Sequence, residues 1–203
     1  MNKRVIIVGA GGHAKVVADI VRKSSDEVVG FLDDDATRIG MEFFGSKILG
    51  KCMDYRRYAD DCSFILALGN NATRKRLSEE MQCRWYTAIH PSAVLGENSQ
   101  IGEGCCIAAG AVINPNAKIG KHTIINSCAV AEHDVEIGDY THLSPNSTVC
   151  GMTKIGALAW IGAGSTVIQG LSVCDGVTVG AGSVVIRSLE EAGTYVGAPA
   201  RKI

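Results

Sequence analysis

From Leu95 to Val185 every sixth residue is apolar. Sixteen positions keep this beat without a slip: Leu95, Ile101, Ile107, Ile113, Ile119, Ile125, Ala131, Ile137, Leu143, Val149, Ile155, Ile161, Val167, Val173, Val179 and Val185. An α-helix repeats at about 3.6 residues and a half-buried strand at two, so neither explains a period of six. A parallel β-helix of hexapeptides does, because each hexad is a short strand and a corner with the key aliphatic pointing inward. The fourth residue after each key position is mostly small, as at Ser99, Cys105, Ala111, Thr141 and Ser165, which suits tight corners. Three hexads close one coil, so residues eighteen apart stack on successive coils about 4.8 Å apart. On this reading the column runs from about Ser92 to Arg187 in a little over five coils, and the tail from Ser188 leaves the repeat.

The first 86 residues follow another pattern. Arg4 to Val8 reads as a buried strand, Gly9-Ala10-Gly11-Gly12 as a turn, and His13 to Arg22 as a helix with Val16, Val17, Ile20 and Val21 on one face. Strands follow at Val28 to Leu32 and Ser63 to Leu68, separated by a loop, and Thr73 to about Gln82 reads as a second helix. The expected fold is an α/β half-Rossmann unit (βαβαβ) over residues 1–86 and a parallel β-helix with a tail over 87–203.

Bulk properties narrow the function. A net charge of −1 and 5% aromatic content argue against a nucleic-acid surface. The apolar run in the first twelve residues is too short and too glycine-bounded for a signal peptide or a membrane span. Eight scattered cysteines without a C-x-x-C pair give no thiolate metal site and suit a reduced, cytoplasmic protein. No metal is expected.

Gly9-x-Gly11-x-x-Ala14, with Asp33 about twenty residues on, fits a dinucleotide fingerprint. Glycines let the backbone approach a phosphate, and the next helix offers free N–H groups at its positive end. Only one half of a full dinucleotide fold fits before residue 87, so a complete dehydrogenase is not supported. A tight turn without a ligand is the other reading.

In the column, His133 lies two positions past the inward Ala131, at a corner and facing outward. One coil later the same corner holds Gly151, leaving room beside the imidazole. Asp134 follows; a carboxylate against one ring nitrogen fixes the tautomer and strengthens the other as a base. Glu132 is a second candidate for that partner. A zinc site of the hydratase kind would need His122, His133 and His142 to converge, but spacings of 11 and 9 are not multiples of 18.

Val8-Gly9-Ala10-Gly11-Gly12-His13, Phe31-Leu32-Asp33-Asp34, Ala67-Leu68-Gly69-Asn70-Asn71, Asn126, Glu132-His133-Asp134, His142 and Val196-Gly197-Ala198-Pro199-Ala200 together resemble the NeuD/PglD type of bacterial sugar acetyltransferases. The resemblance implies a left-handed β-helix, acetyl-CoA as donor, a nucleotide-sugar acceptor and a homotrimer with sites between subunits. It implies His133 as general base with Asp134 orienting it, where most relatives carry Glu. Gly11, Gly12, His13, Asp33, Asp34, Gly69 and Asn126 should contact the nucleotide sugar. His142, Ala163 and Ala181 should contact acetyl-CoA, and Arg201 and Lys202 are candidates for its phosphates.

The expected reaction is N-acetylation of a UDP-linked 4-amino-4,6-dideoxy sugar. O-acetylation of a sugar hydroxyl, as on sialic acid, and a non-catalytic sugar-binding scaffold are the alternatives.

Overall fold

The computed structural model describes residues 2–203. In the N-terminal unit, β1 (Arg4–Val8), β2 (Glu27–Leu32) and β5 (Ser63–Leu66) are parallel, and α1 (Gly12–Lys23) and α2 (Asn71–Glu80) follow β1 and β5. The segment expected as a loop holds two more strands, β3 (Glu42–Phe43) and β4 (Ser46–Gly50). The sheet order is β3-β4-β2-β1-β5, with β4 parallel to β2 and β3 antiparallel at the edge. The hairpin turns on two residues, Phe44 and Gly45, both at positive φ (44° and 74°). That turn normally advertises itself as Asn-Gly or Asp-Gly; a phenylalanine in its first position hides the signal.

The column has three walls. The first runs from Val94–Leu95 to Val184–Val185 and the second from Gln100–Ile101 to Ser172–Val173. The third begins at Ala88–Ile89, one hexad before the expected start, since Ile89 keeps the six-residue beat. It includes Ile124–Ile125, His142–Leu143 and Trp160–Ile161. Strands pair in parallel with partners eighteen residues on, as Lys118 with Glu136 and Ile119 with Ile137. The inward aliphatics from Ile107 to Val185 form one continuous core.

Fifteen corner residues, one every six from Asn98 to Gly182, have φ between 52° and 71°. This left-handed conformation favours Gly, Asn and Asp, which occupy most of them. Buried hydroxyls after the corners find carbonyls: Thr141 Oγ1 donates to Gly156 O at 2.7 Å and Ser165 Oγ to Gly180 O at 2.7 Å. That is why Ser and Thr share these small positions with Ala.

The tail does not leave the column. Gly193–Val196 pairs in parallel with Val177–Val179, and Arg201–Lys202 folds back antiparallel on it. Backbone pairing extends the third wall where the six-residue signal has already ended.

The N-terminal unit packs on the outer face of the third wall. Ala14, Val17 and Val21 of α1 share a core with Ala88, Cys106 and Ile124, the outward residues of that wall's first three strands. The next outward residues are His142 and Trp160, so the cover stops where the candidate chemistry begins.

Candidate functional site

The loops after β1, β2 and β5 meet at the carboxyl edge of the sheet, where open α/β folds bind ligands. Gly9 has φ 103°, and a Cβ there would lie 2.8 Å from the Leu68 side chain. Gly11, Gly12 and Gly69 differ: a Cβ on any of them would meet nothing within 4 Å. Open space therefore lies over these backbones. Gly11 caps α1 without a side chain, and no acidic residue occupies its first turn. The leading amides of α1 thus face that space with the helix's positive end behind them.

Asp33 and Asp34 shape this edge. Asp33 Oδ2 accepts the Ala10 amide at 2.7 Å and lies 3.7 Å from Arg38, which also bonds Ala10 O. Asp33 therefore pins the glycine loop. Asp34 Oδ1 accepts the Cys52 amide at 3.0 Å, bracing a neighbouring short helix at Cys52–Arg57.

His13, at the start of α1, and His142, on the third wall, are both largely buried. The His13 Nε2 and His142 Nδ1 atoms have no hydrogen-bond partner among the described residues. Burial lowers the pKa of His13 to about 4, helped by the Arg74 charge. Burial lowers His142 to about 3, with Arg74 and then His13 adding to the effect. Asn126 Oδ1 accepts the Ser127 amide at 2.8 Å, which directs its Nδ2 to donate to His142 Nε2 at 3.1 Å. That bond makes Nδ1 the protonated nitrogen of His142. The imidazole stacks on Trp160, centroids 5.4 Å apart.

His133 stands on a different edge. Its Nδ1 lies 2.8 Å from Asp134 Oδ2, and Asp134 Oδ1 accepts from Asn116 Nδ2, one coil below, at 3.1 Å. These two hydrogen bonds hold the Asp134 carboxyl below the usual carboxylate range. The ring covers Gly151, where a Cβ would lie 2.6 Å from Nε2. The Glu132 carboxylate turns to the His133 backbone amide at 3.3 Å, leaving the ring to Asp134. The His133 side chain is 53% exposed, so Nε2 opens to the surface of the single chain.

The three edges of the column carry different groups. The edge between the second and third walls, with His122 and Tyr140, receives the N-terminal unit. The edge between the third and first walls carries Asn126, followed two and three coils on by exposed Ala163 and Ala181. The edge between the first and second carries His133 and Asp134. The structure thus brings Gly11, Gly12, His13, Gly69, Asn126 and His142 to one side, with Ala163 and Ala181 on the adjoining edge. His133 and Asp134 lie across the first wall, roughly 15–20 Å away at strand rise. His122, His133 and His142 occupy separate places and do not converge. A groove of about 1130 Å³ follows the second wall past Lys118, Glu136 and Lys154; none of the expected site residues lines it. Of the tail cations, Lys202 pairs with Glu191 at 2.8 Å.

The sequence reading missed Arg74, buried at 1% exposure between the unit and the column. In the polar run Arg74-Lys75-Arg76 nothing marks it; its one signal is its spacing of three from Asn71, which places both on one face of α2.

Comparison with known proteins matches both units of the fold. Residues 4–81 match the PglD N-terminal domain family, and residues 86–115 and 116–151 match the bacterial transferase hexapeptide family. The chain is 42% identical over 113 residues to UDP-N-acetylbacillosamine N-acetyltransferase from Bacillus subtilis (strain 168), covering 53% of this chain and 52% of that protein. It therefore spans about half the length of this curated relative. The acetyltransferase domain of PglB from Neisseria gonorrhoeae FA1090, solved in complex with acetyl coenzyme A, is 30% identical with a TM-score of 0.93, covering 100% of both chains. PerB from Caulobacter crescentus, solved in complex with CoA and GDP-perosamine, is 34% identical with a TM-score of 0.90, covering 98% of this chain and 96% of that one. A half-Rossmann unit on a left-handed β-helix, matched along the whole chain, places this protein in the NeuD/PglD-type family of sugar acetyltransferases.

Proposed function

We propose that the protein transfers the acetyl group of acetyl-CoA to the amino group of a nucleotide-linked sugar, a UDP-linked 4-amino-4,6-dideoxy sugar in particular. The amine lone pair attacks the thioester carbonyl. His133 Nε2 takes the amine proton, the C–N bond forms, and the C–S bond breaks as CoA leaves as a thiolate that is then protonated. Asp134 holds the ring and balances the imidazolium. The uncapped start of α1 at Gly11, Gly12 and His13 receives the phosphates, with Gly69 beside it and Asp33 and Asp34 supporting the loops. Asn126 meets the sugar and holds His142 in one tautomer. The pantetheine arm runs along the edge of Ala163 and Ala181 to His142.

The observation that carries this reading is the His133–Asp134 bond, with Nε2 left free over Gly151. The relative named an N-acetyltransferase supports an amine acceptor and a UDP-linked sugar. Because His133 lies on a different edge from His142, one chain holds only part of a site. A homotrimer of parallel columns would set the His133 of one copy against the Asn126 and His142 of the next. Eight free cysteines support a reducing, cytoplasmic setting, where acetyl-CoA is available. No helix among the described residues is long and apolar enough to cross a membrane.

The test is thiol release from acetyl-CoA with UDP-, GDP- and CMP-linked amino and hydroxy sugars. Turnover with a UDP-linked amino sugar supports the reading. Turnover with hydroxy sugars alone makes the enzyme an O-acetyltransferase, and no turnover with any acceptor favours a binding scaffold.

A further inference from the structure

Arg74 is a guanidinium sealed between two parts of the chain with no carboxylate partner among the described residues. Its Nε donates to His122 O at 3.1 Å, and Nη1 to Leu68 O and Gly69 O at 3.0 Å each. Its Nη2 donates to Asn71 Oδ1 at 2.9 Å, Tyr140 O at 2.7 Å and Thr141 O at 3.4 Å. A buried charge without a counter-ion is expensive, and removing its partners one by one does not make it cheaper. Docking two surfaces does not by itself require such a group, because apolar side chains dock surfaces at lower cost. What a planar fork with five donors adds is a fixed distance between several acceptors.

Those acceptors fall on two sides. Leu68 and Gly69 belong to the loop after β5. His122, Tyr140 and Thr141 belong to the column, and Thr141 directly precedes His142. Asn71 repeats the pattern: its Nδ2 donates to Leu158 O and Ala159 O at 3.0 Å each, the lead-in to Trp160. One rigid pair therefore ties the Gly69 loop to the two strands that begin with His142 and Trp160.

We infer that Arg74 is a positioning residue that sets the spacing between the Gly69 loop and the His142 face, and so between the nucleotide sugar and the acetyl donor. The inference rests on the acetyl-transfer reading for what occupies that space. The positive charge also adds to burial in favouring the neutral state of His13 and His142. Two effects then come from one side chain, the fork and the charge, and two substitutions separate them. Arg74→Lys keeps the charge and loses the fork. Arg74→Met loses both.

The experiment measures KM for each substrate, kcat, equilibrium binding of UDP, and the histidine titrations by NMR, in the wild type and both variants. In the Lys variant KM for the nucleotide sugar rises and kcat falls, together by about tenfold or more in kcat/KM, while KM for acetyl-CoA stays near wild type. His13 and His142 titrate as in the wild type in the Lys variant and at higher pH in the Met variant. If the Met variant does not fold, Asn71→Ala takes its place for the kinetic arm, with the same split expected. Wild-type KM and kcat for the nucleotide sugar in folded variants overturn the inference. So does an equal loss toward both substrates, which is what general loosening would produce. If the wild type acetylates no nucleotide sugar, the functional reading fails separately; UDP binding and the histidine titrations still decide the role of Arg74, and unchanged values in both variants overturn it.

Discussion

Asp134 Oδ2 reaches Nδ1 of His133 at 2.8 Å from a corner residue whose φ is 58°. Aspartate is among the few residues that accept this left-handed conformation readily, and from there its short side chain spans the gap to the adjacent ring. Asn116, one coil below, completes the chain of bonds. Asp134→Asn should keep the fold and lower kcat by about ten- to a hundredfold, because the ring loses a carboxylate that fixes its tautomer and balances its charge. Asn116→Ala should lower it only a few-fold. Steady-state rates beside far-UV circular dichroism check both; an Asp134→Asn enzyme at full rate would remove the carboxylate from the mechanism.

Gly151 is required by the ring above it. A methyl group there would sit 2.6 Å from His133 Nε2 and push the imidazole off its position. Gly151→Ala should reduce kcat by about tenfold or more while costing little stability, since the methyl group meets only the far end of the exposed His133 side chain, which can swing aside. Rate and thermal midpoint, measured on the same sample, separate the two effects.

The division of the candidate site between edges predicts complementation between subunits. His133→Ala and His142→Ala should each be nearly inactive alone. Unfolded together and refolded in equal amounts, the two should recover activity in about a quarter of all sites, one in each mixed trimer. A site built within one chain recovers none.

Acid should weaken the fold earlier than carboxylate titration alone would. His13, His122 and His142 have folded pKa values of about 4, 4 and 3, against an ordinary 6.5, chiefly through burial. Above 6.5 they are neutral in both states and contribute no pH dependence. As pH falls below 6.5 the unfolded chain takes up protons that the folded chain refuses. Stability therefore drops from about pH 6.5 down to 3–4, where the folded state protonates as well. The urea midpoint should be lower at about pH 5 than at about pH 7.5, and His122→Asn, which suits a left-handed corner, should flatten the slope. A flat profile between these two values would contradict the buried neutral histidines.

The column was legible because its constraint is local and repeated: each inward aliphatic and each small corner residue answers to its own coil. The same arithmetic of eighteen puts Gly151 beside His133. The hairpin at Phe44-Gly45 was not legible, because phenylalanine stands where the turn's usual asparagine would announce it. The strand at Gly193–Val196 escaped because Tyr195 enters the core opposite Val179 at a spacing of sixteen, off the beat of eighteen. Arg74 escaped for a deeper reason. Its burial depends on a surface that only forms when two separate parts of the chain meet, and its neighbours Lys75 and Arg76 carry the same charge in the same helix.

Acetylation of a nucleotide-linked amino sugar by His133 is most directly tested by the mass of that sugar after incubation with acetyl-CoA. With wild-type protein a UDP-linked 4-amino sugar should gain one acetyl group, and with His133→Ala the rate of that gain should fall by about a hundredfold or more. An unmodified sugar, or equal rates from the two proteins, would contradict the account.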